Sequence, residues 1–120
     1  MRLTEISYGT AQPIAGYGPG FFRVGAHVLR GACLVTPWDA GPWGGLEDSA
    51  TPLSLAGRID VLFLGMGAEI AHPPAAFHTA LEAGGIGVEV MTSPAACRTY
   101  NVLLSEGRRI AVALLPVGSA

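Results

Sequence analysis

The sequence predicts an α/β fold in one domain that covers residues 1–120. Before residue 58, short runs of β-branched and aromatic residues are separated by glycine and proline, which is typical of an antiparallel β-meander. After residue 58, apolar strand patterns alternate with helical patterns, which is typical of a mixed or parallel sheet with right-handed crossovers. No linker composition separates the two halves, so we expect them to share one core.

Three runs make up the predicted meander, at residues 14–17, 21–24 and 27–36. The glycines and the proline between the runs supply the backbone angles that tight turns need. Residues 32–35 are apolar on both faces and are therefore expected to lie deeper in the core. Cys33, inside that stretch, is interpreted as a small buried hydrophobic residue.

Residues 37–50 form a predicted long loop that is rich in glycine and proline and carries both tryptophans. A loop of this length is often functional. The simpler interpretation is that Trp38 and Trp43 cap an open edge of the core, and we favour it for one of the two. The role of the other tryptophan stays open at this point. A short turn over residues 53–57 is expected to follow.

The second half begins with a buried strand at residues 59–64, which ends in Gly65-Met66-Gly67. A helix is predicted over residues 73–84, since Phe77, Ala80 and Leu81 form an apolar stripe at helical spacing. A strand at residues 86–90, a helix at 94–106 and a last strand at 109–115 complete the pattern. Pro116 ends that last strand.

Composition excludes several classes of protein. The chain has 120 residues, half of them hydrophobic and only 13% charged, so disorder is not expected. Its net charge is −2 and its seven basic residues, all arginines, are scattered, so neither nucleic-acid binding nor a polybasic membrane patch is expected. So low a charge predicts that some apolar surface stays exposed unless a protein partner or another copy covers it.

The chain is expected to be cytoplasmic. No apolar run approaches the roughly 20 residues of a membrane-spanning helix, so membrane insertion is not expected. The first residues, Met1-Arg-Leu-Thr-Glu-Ile6, lack the apolar core of a secretion signal. Two cysteines far apart in sequence are interpreted as reduced thiols.

The strongest candidate site lies at the carboxyl ends of two parallel strands, where ligands of such sheets bind. Ser93 is the predicted N-cap of helix 94–106, and free N–H groups at that helix start could hold an anion. Arg98 would add a charged fork for a carboxylate or phosphate. The candidate ligand-binding residues are Gly65, Gly67, Thr92, Ser93, Arg98 and Asn101. Two glycines alone are a weak dinucleotide signal, and the simpler interpretation is a tight exit from the strand.

No catalytic set, cofactor site or metal site can be assembled from the sequence. Cys97 lies near a helix start, where a thiol gains reactivity, but it shares a stripe with Tyr100 and Leu104 and is therefore interpreted as packed. His72 and His78 have a spacing that does not place both on one helix face, so they are not expected to bind a metal. His78 and Glu82 are interpreted as an exposed pair on a helix.

Several segments resemble the complex I assembly factor 3-like family, which began as a domain of unknown function in bacteria and archaea. They are Leu64-Gly-Met-Gly67, Gly87-Val-Glu-Val-Met-Thr92, Ala95-Ala-Cys-Arg-Thr-Tyr-Asn-Val-Leu103 and Glu106-Gly-Arg108, with Gly16-Tyr-Gly18, Phe22-Arg-Val24 and Pro37-Trp38 in agreement. The resemblance covers nearly the whole chain. It implies a three-layer fold, in which one β-sheet packs on a second, mixed sheet that carries helices on its other face.

The resemblance also implies a function. Mitochondrial relatives help to assemble respiratory complex I by binding another assembly factor and peripheral-arm subunits, and they are not known as enzymes. Those relatives carry an N-terminal targeting extension, and its lack here suits a prokaryotic, cytoplasmic member.

Two hypotheses follow from the sequence. The first is a non-catalytic binding or assembly protein, whose apolar surface meets a protein partner or another copy of the chain. The second is a module for a small anionic ligand, or an enzyme, that uses the turn from Gly65 to Gly67 and the start of helix 94–106. The first is preferred because no nucleophile with its base, and no metal set, can be assembled.

Overall fold

The computed structural model describes residues 12–118. The first residues, Met1 to Ile6, for which the sequence predicts no secretion signal, lie outside the described residues. The elements in chain order are β1 (Ile14–Gly18), β2 (Phe21–Val24), β3 (His27–Arg30), β4 (Cys33–Val35), β5 (Ala40–Pro42), α1 (Ala50–Leu53), β6 (Val61–Gly65), α2 (Ala75–Ala83), β7 (Gly87–Met91), α3 (Ser93–Ser105) and β8 (Ile110–Leu114).

The first three strands form an antiparallel sheet in the order β1-β2-β3. The predicted meander is confirmed for these strands. The predicted third run, residues 27–36, was wrong as a single unit because it supplies two strands to two different sheets. The two strands are separated at Gly31, where the chain turns with a positive φ of 80°. Residues with a side chain rarely adopt this conformation.

The second sheet has five strands in the order β5-β4-β8-β6-β7. Strand β6 runs parallel to β7 and β8, whereas β4 runs antiparallel to β5 and β8, so the predicted mixed sheet is confirmed. Strand β5 and helix α1 lie where a loop and a turn were predicted. Ala40-Gly41-Pro42 has little strand propensity of its own, and its pairing with β4 decides its structure.

The five-stranded sheet is buried on both faces, which confirms the predicted α/β class. Phe63 of β6 packs with the three-stranded sheet and α3, while Leu62 and Leu64 point to the other face and pack with α1 and α2. The prediction of helices on one face only therefore needs correction. Helix α3 lies on the same face as the three-stranded sheet because its stripe of Ala96, Cys97 and Tyr100 joins that core cluster.

The longest helix in residues 12–118 is α3, with 13 residues. Within that part of the chain, no helix combines the length and the apolarity that crossing a membrane requires.

Candidate functional site

Ser93 ties the exits of two central strands to the start of α3. Its side chain is fully buried, at 0% exposure. The Gly67 N–H donates to Ser93 Oγ at 2.9 Å, and the Ser93 hydroxyl donates to the Leu115 carbonyl at 2.6 Å. The Ser93 N–H donates to the Gly67 carbonyl at 2.8 Å. The N–H and the hydroxyl of Ser93 therefore connect the start of α3 to the residues that follow β6 and β8.

The two glycines at the end of β6 follow from the same packing. A Cβ at Gly65 would lie 2.7 Å from Ser93 Oγ and 2.8 Å from Ser93 Cα, so only glycine lets α3 approach the strand this closely. Gly67 has a φ of 93°, a backbone conformation that favours glycine. Packing and backbone conformation therefore explain why glycine occupies both positions, without a bound ligand.

The N-cap of α3 is Thr92, and the prediction of Ser93 was wrong by one residue. Thr92 Oγ1 accepts from the Ala95 N–H at 3.3 Å, and the Thr92 carbonyl accepts from the Ala96 N–H at 2.9 Å. Pro94 has no N–H, and that of Ser93 bonds to Gly67. Among the described residues, every backbone donor in the first turn of α3 thus has a partner inside the chain, so an incoming anion would have to displace one.

Asn101 and Arg98 lie further along α3. Asn101 Oδ1 accepts from the Ile14 N–H at 2.8 Å and its Nδ2 donates to the Ile14 carbonyl at 2.9 Å, so this amide fastens β1 to the helix. Arg98 is exposed, and its guanidinium makes no hydrogen bond or ion pair with residues 12–118. Gly65, Gly67, Thr92 and Ser93 do meet at one point, as predicted, while Asn101 is used elsewhere. A ligand-binding role for these residues stays a prediction.

The two cysteines lie in the same core cluster as Tyr100. Burial raises the pKa of the Cys33 thiol to about 12 and that of the Cys97 thiol to about 11, so both are protonated at neutral pH. A protonated thiol is a poor nucleophile, in keeping with the predicted packing role. The Tyr100 hydroxyl is buried without a hydrogen-bond partner in the described structure, and burial raises its pKa.

Two pairs of titratable side chains lie at the surface of the described residues. His78 Nε2 lies 2.8 Å from Glu82 Oε2 on α2, which confirms the predicted pair. Arg109 bonds to Asp60 and to the Gly57 carbonyl. Within residues 12–118, no group of three or more His, Cys, Asp or Glu side chains is placed to hold a metal ion.

The structure also contains a cleft that the sequence did not predict. It has a volume of about 360 Å³ and lies between β3 and the turn that joins β4 to β5. Trp38 forms one wall at 37% exposure, with Arg58 stacked on its ring at 4.0 Å. Apolar residues dominate the lining, which consists of Gln12, Val24, His27, Val28, Leu29, Thr36, Pro37, Trp38, Asp39 and Ala40.

The two tryptophans of the predicted loop have different roles. Trp43 is 5% exposed, packs on Phe77 and donates from Nε1 to the Asp48 carbonyl at 2.8 Å, so it caps the core as one of the pair was expected to do. Trp38 faces the cleft instead. An exposed tryptophan in a Pro-Trp-Asp turn was the only signal for this cleft in the sequence, because its other wall comes from a different sheet.

The profile of the family described as "Protein of unknown function (DUF498/DUF598)" matches residues 14–115. An uncharacterised protein of Rhodobacter capsulatus is 50% identical over 120 residues, which cover all of this chain and 97% of that protein. NADH dehydrogenase (ubiquinone) 1 alpha subcomplex assembly factor 3 of Danio rerio is 36% identical over 119 residues, which cover 93% of this chain and 67% of that protein.

A solved structure has the same fold. The solution structure of a Bordetella pertussis protein described as a Mth938-like domain superimposes with a TM-score of 0.77 at 27% identity, over all of this chain and 95% of that chain.

Proposed function

We propose that this chain, which belongs to the DUF498/DUF598 family of proteins, acts as an assembly factor that binds protein subunits of an NADH dehydrogenase complex. The observation that carries the proposal is the similarity to the Danio rerio assembly factor, which extends over 93% of this chain. This chain spans about two thirds of that relative, so the role proposed here belongs to the shared domain.

Large apolar side chains at the surface support a protein-binding role. Within residues 12–118, five are exposed by more than a third, and they lie in different parts of the fold: Tyr17, Val28, Trp38, Ile70 and Val102. Tryptophan and tyrosine are enriched in the parts of interfaces that contribute most to binding, and Trp38 stands beside an apolar cleft. The surface therefore offers a recognition element of the kind that an assembly factor needs.

The contacts at the predicted anion site favour a non-catalytic role. The backbone donors of the first turn of α3 are engaged within the chain, and Ser93 is buried. Both thiols have raised pKa values, which lowers their reactivity at neutral pH. We propose binding without chemistry, in the cytoplasm that the sequence predicts.

Quantitative capture from the source organism tests the proposal. The tagged chain is cross-linked in growing cells and purified, and NADH dehydrogenase subunits are quantified against a strain that expresses the tag alone. In parallel, the amount of assembled NADH dehydrogenase is measured in membranes of a strain that lacks the gene. We expect enrichment of subunits and a reduced amount of the complex. Capture of subunits at the level of the tag alone would overturn the proposed function.

A further inference from the structure

Strand β3 has a free edge whose hydrogen-bonding groups can be assigned from its register. Phe22 pairs with Leu29 and Val24 with His27, and the Gly31 N–H donates to the Gly20 carbonyl at 2.9 Å. Hydrogen-bonded pairs alternate along an antiparallel ladder, so the groups between them point the other way. Val28 and Arg30 therefore turn their N–H and C=O groups away from β2, and no described residue bonds to them.

The cleft lies directly beside this edge. Its lining includes His27, Val28 and Leu29 of β3, and Trp38 stands on the opposite side. The facing edge strand, β5, ends in Pro42, which has no N–H to offer a new strand. The edge of β3 is therefore the open one of the two, and an apolar cavity adjoins it.

The outer face of the three-stranded sheet is positively charged. Arg23 lies opposite Val28 in the register and Arg30 lies two residues further along β3, so both arginines are on the face away from the core. Residues 14–30 contain no aspartate or glutamate. One carboxylate, Asp39, lines the cleft, and it accepts a hydrogen bond from the Thr36 hydroxyl at 3.0 Å.

These charges disfavour self-association through β3. Pairing with a second copy would place Arg23 and Arg30 of both copies on one face of a continuous sheet, with no carboxylate from residues 14–30 to neutralise them. Like charges on neighbouring strands are destabilising. A strand with acidic side chains on the outer face would instead place them next to Arg30, on the same face as Arg23 of β2.

We propose that β3 receives an extended segment of a partner protein as an added strand. In this segment acidic side chains alternate with apolar ones. Because successive side chains of a strand point to opposite faces, the acidic positions lie on the outer face next to Arg30, with Arg23 one strand further in on β2, while an apolar side chain enters the cleft against Trp38. This inference rests on the proposed function. It identifies the edge of β3 and the adjoining cleft as the surface that binds the partner, and it gives the chemistry of the partner segment.

A synthetic peptide tests the surface directly. The probe is a short, end-blocked peptide in which aspartate or glutamate alternates with valine and a central phenylalanine. Two control peptides carry the same residues in blocks, or lysine in place of each acid. We expect the probe to shift the backbone amide signals of Val28 and Arg30 and the indole signal of Trp38 in NMR titrations. We also expect it to bind about tenfold more tightly than either control.

Two substitutions at one position isolate the added strand. Val28→Pro removes the N–H that points outward, at a place where an edge strand tolerates proline. Val28→Ala removes the two methyl groups of the valine side chain but keeps that N–H. We expect Val28→Pro to weaken probe binding about tenfold and Val28→Ala to weaken it about twofold at most. Unchanged amide dispersion in the NMR spectrum verifies that each variant is folded. Arg30→Glu, which keeps the backbone, should reverse the preference between the acidic and the lysine peptide.

The outcomes separate this inference from the proposed function. Equal binding of all three peptides, or equal loss with both Val28 variants, would overturn the inference. So would a concentration-dependent dimer that Val28→Pro dissolves, because a second copy would then occupy the edge. Capture of NADH dehydrogenase subunits that persists in Val28→Pro would leave the proposed function standing without this surface. Probe binding as expected, with no subunit captured by the unaltered chain, would leave the surface standing and remove the proposed function.

Discussion

Ser93→Ala is expected to destabilise the fold because the Ser93 hydroxyl makes two hydrogen bonds at the sheet exit. Without Oγ, the buried Gly67 N–H loses its acceptor and the Leu115 carbonyl loses its donor. A buried group left without a partner costs about 1–3 kcal/mol. The hydrogen bond to the Leu115 carbonyl is only partly buried, and alanine is the better helix former by a few tenths of a kcal/mol. We therefore expect a loss of about 2 kcal/mol in the free energy of unfolding.

Urea denaturation measures this loss, with an unchanged m-value as the sign that both proteins unfold in the same way. Ser105→Ala is the matched control. Its hydroxyl also makes a hydrogen bond of 2.6 Å, to the Val102 carbonyl, but at an exposed position of the same helix. The control is expected to stay within about 0.5 kcal/mol of the unaltered chain. A Ser93→Ala protein as stable as that control would refute a structural role for this serine.

Three further changes test other parts of the structure. Gly65→Ala should lower the free energy of unfolding by about 1–3 kcal/mol because its Cβ would overlap the backbone of Ser93, whereas Gly16→Ala, with no atom within 4 Å of the added Cβ, should be nearly neutral in the same denaturation assay. Burial raises the pKa values of Cys33 and Cys97, so ionisation of these thiols does not affect stability below their ordinary pKa of 9.0. As the pH rises from 9.0 toward about 11, the unfolded chain loses the thiol protons more readily than the folded protein, and stability should fall. Melting temperatures measured across that pH range test this. Arg98→Ala should leave the melting temperature unchanged, and a screen of anionic metabolites by thermal shift should give the same result with and without Arg98. An anion that stabilises only the protein with Arg98 would restore the ligand-binding hypothesis.

Local patterns in the second half of the chain were strong enough to predict its elements. The apolar run before Gly65 and the stripe of Phe77, Ala80 and Leu81 each match an observed strand or helix within a few residues. The start of α3 was predicted to within one residue, since threonine and serine are both good caps and only the geometry shows that Thr92 takes the role.

Long-range contacts decided what the sequence did not predict. Strand β5 exists because Ala40-Gly41-Pro42 pairs with β4, and no local propensity indicates this. The chain bends at Gly31 to place the two parts of residues 27–36 in different sheets, so the cleft between them has no contiguous motif. The sequence also did not show that two of the candidate ligand residues, Ser93 and Asn101, bond to backbone groups that lie far away in sequence.

The most direct test of the proposed role is to capture NADH dehydrogenase subunits with the tagged chain in its own cells. The captured amounts are compared between the unaltered chain, Val28→Ala and Val28→Pro. We expect the subunits to be enriched with the first two proteins and lost with the third, while all three stay folded. Capture at the level of the tag alone by the unaltered chain would contradict an assembly role for this protein.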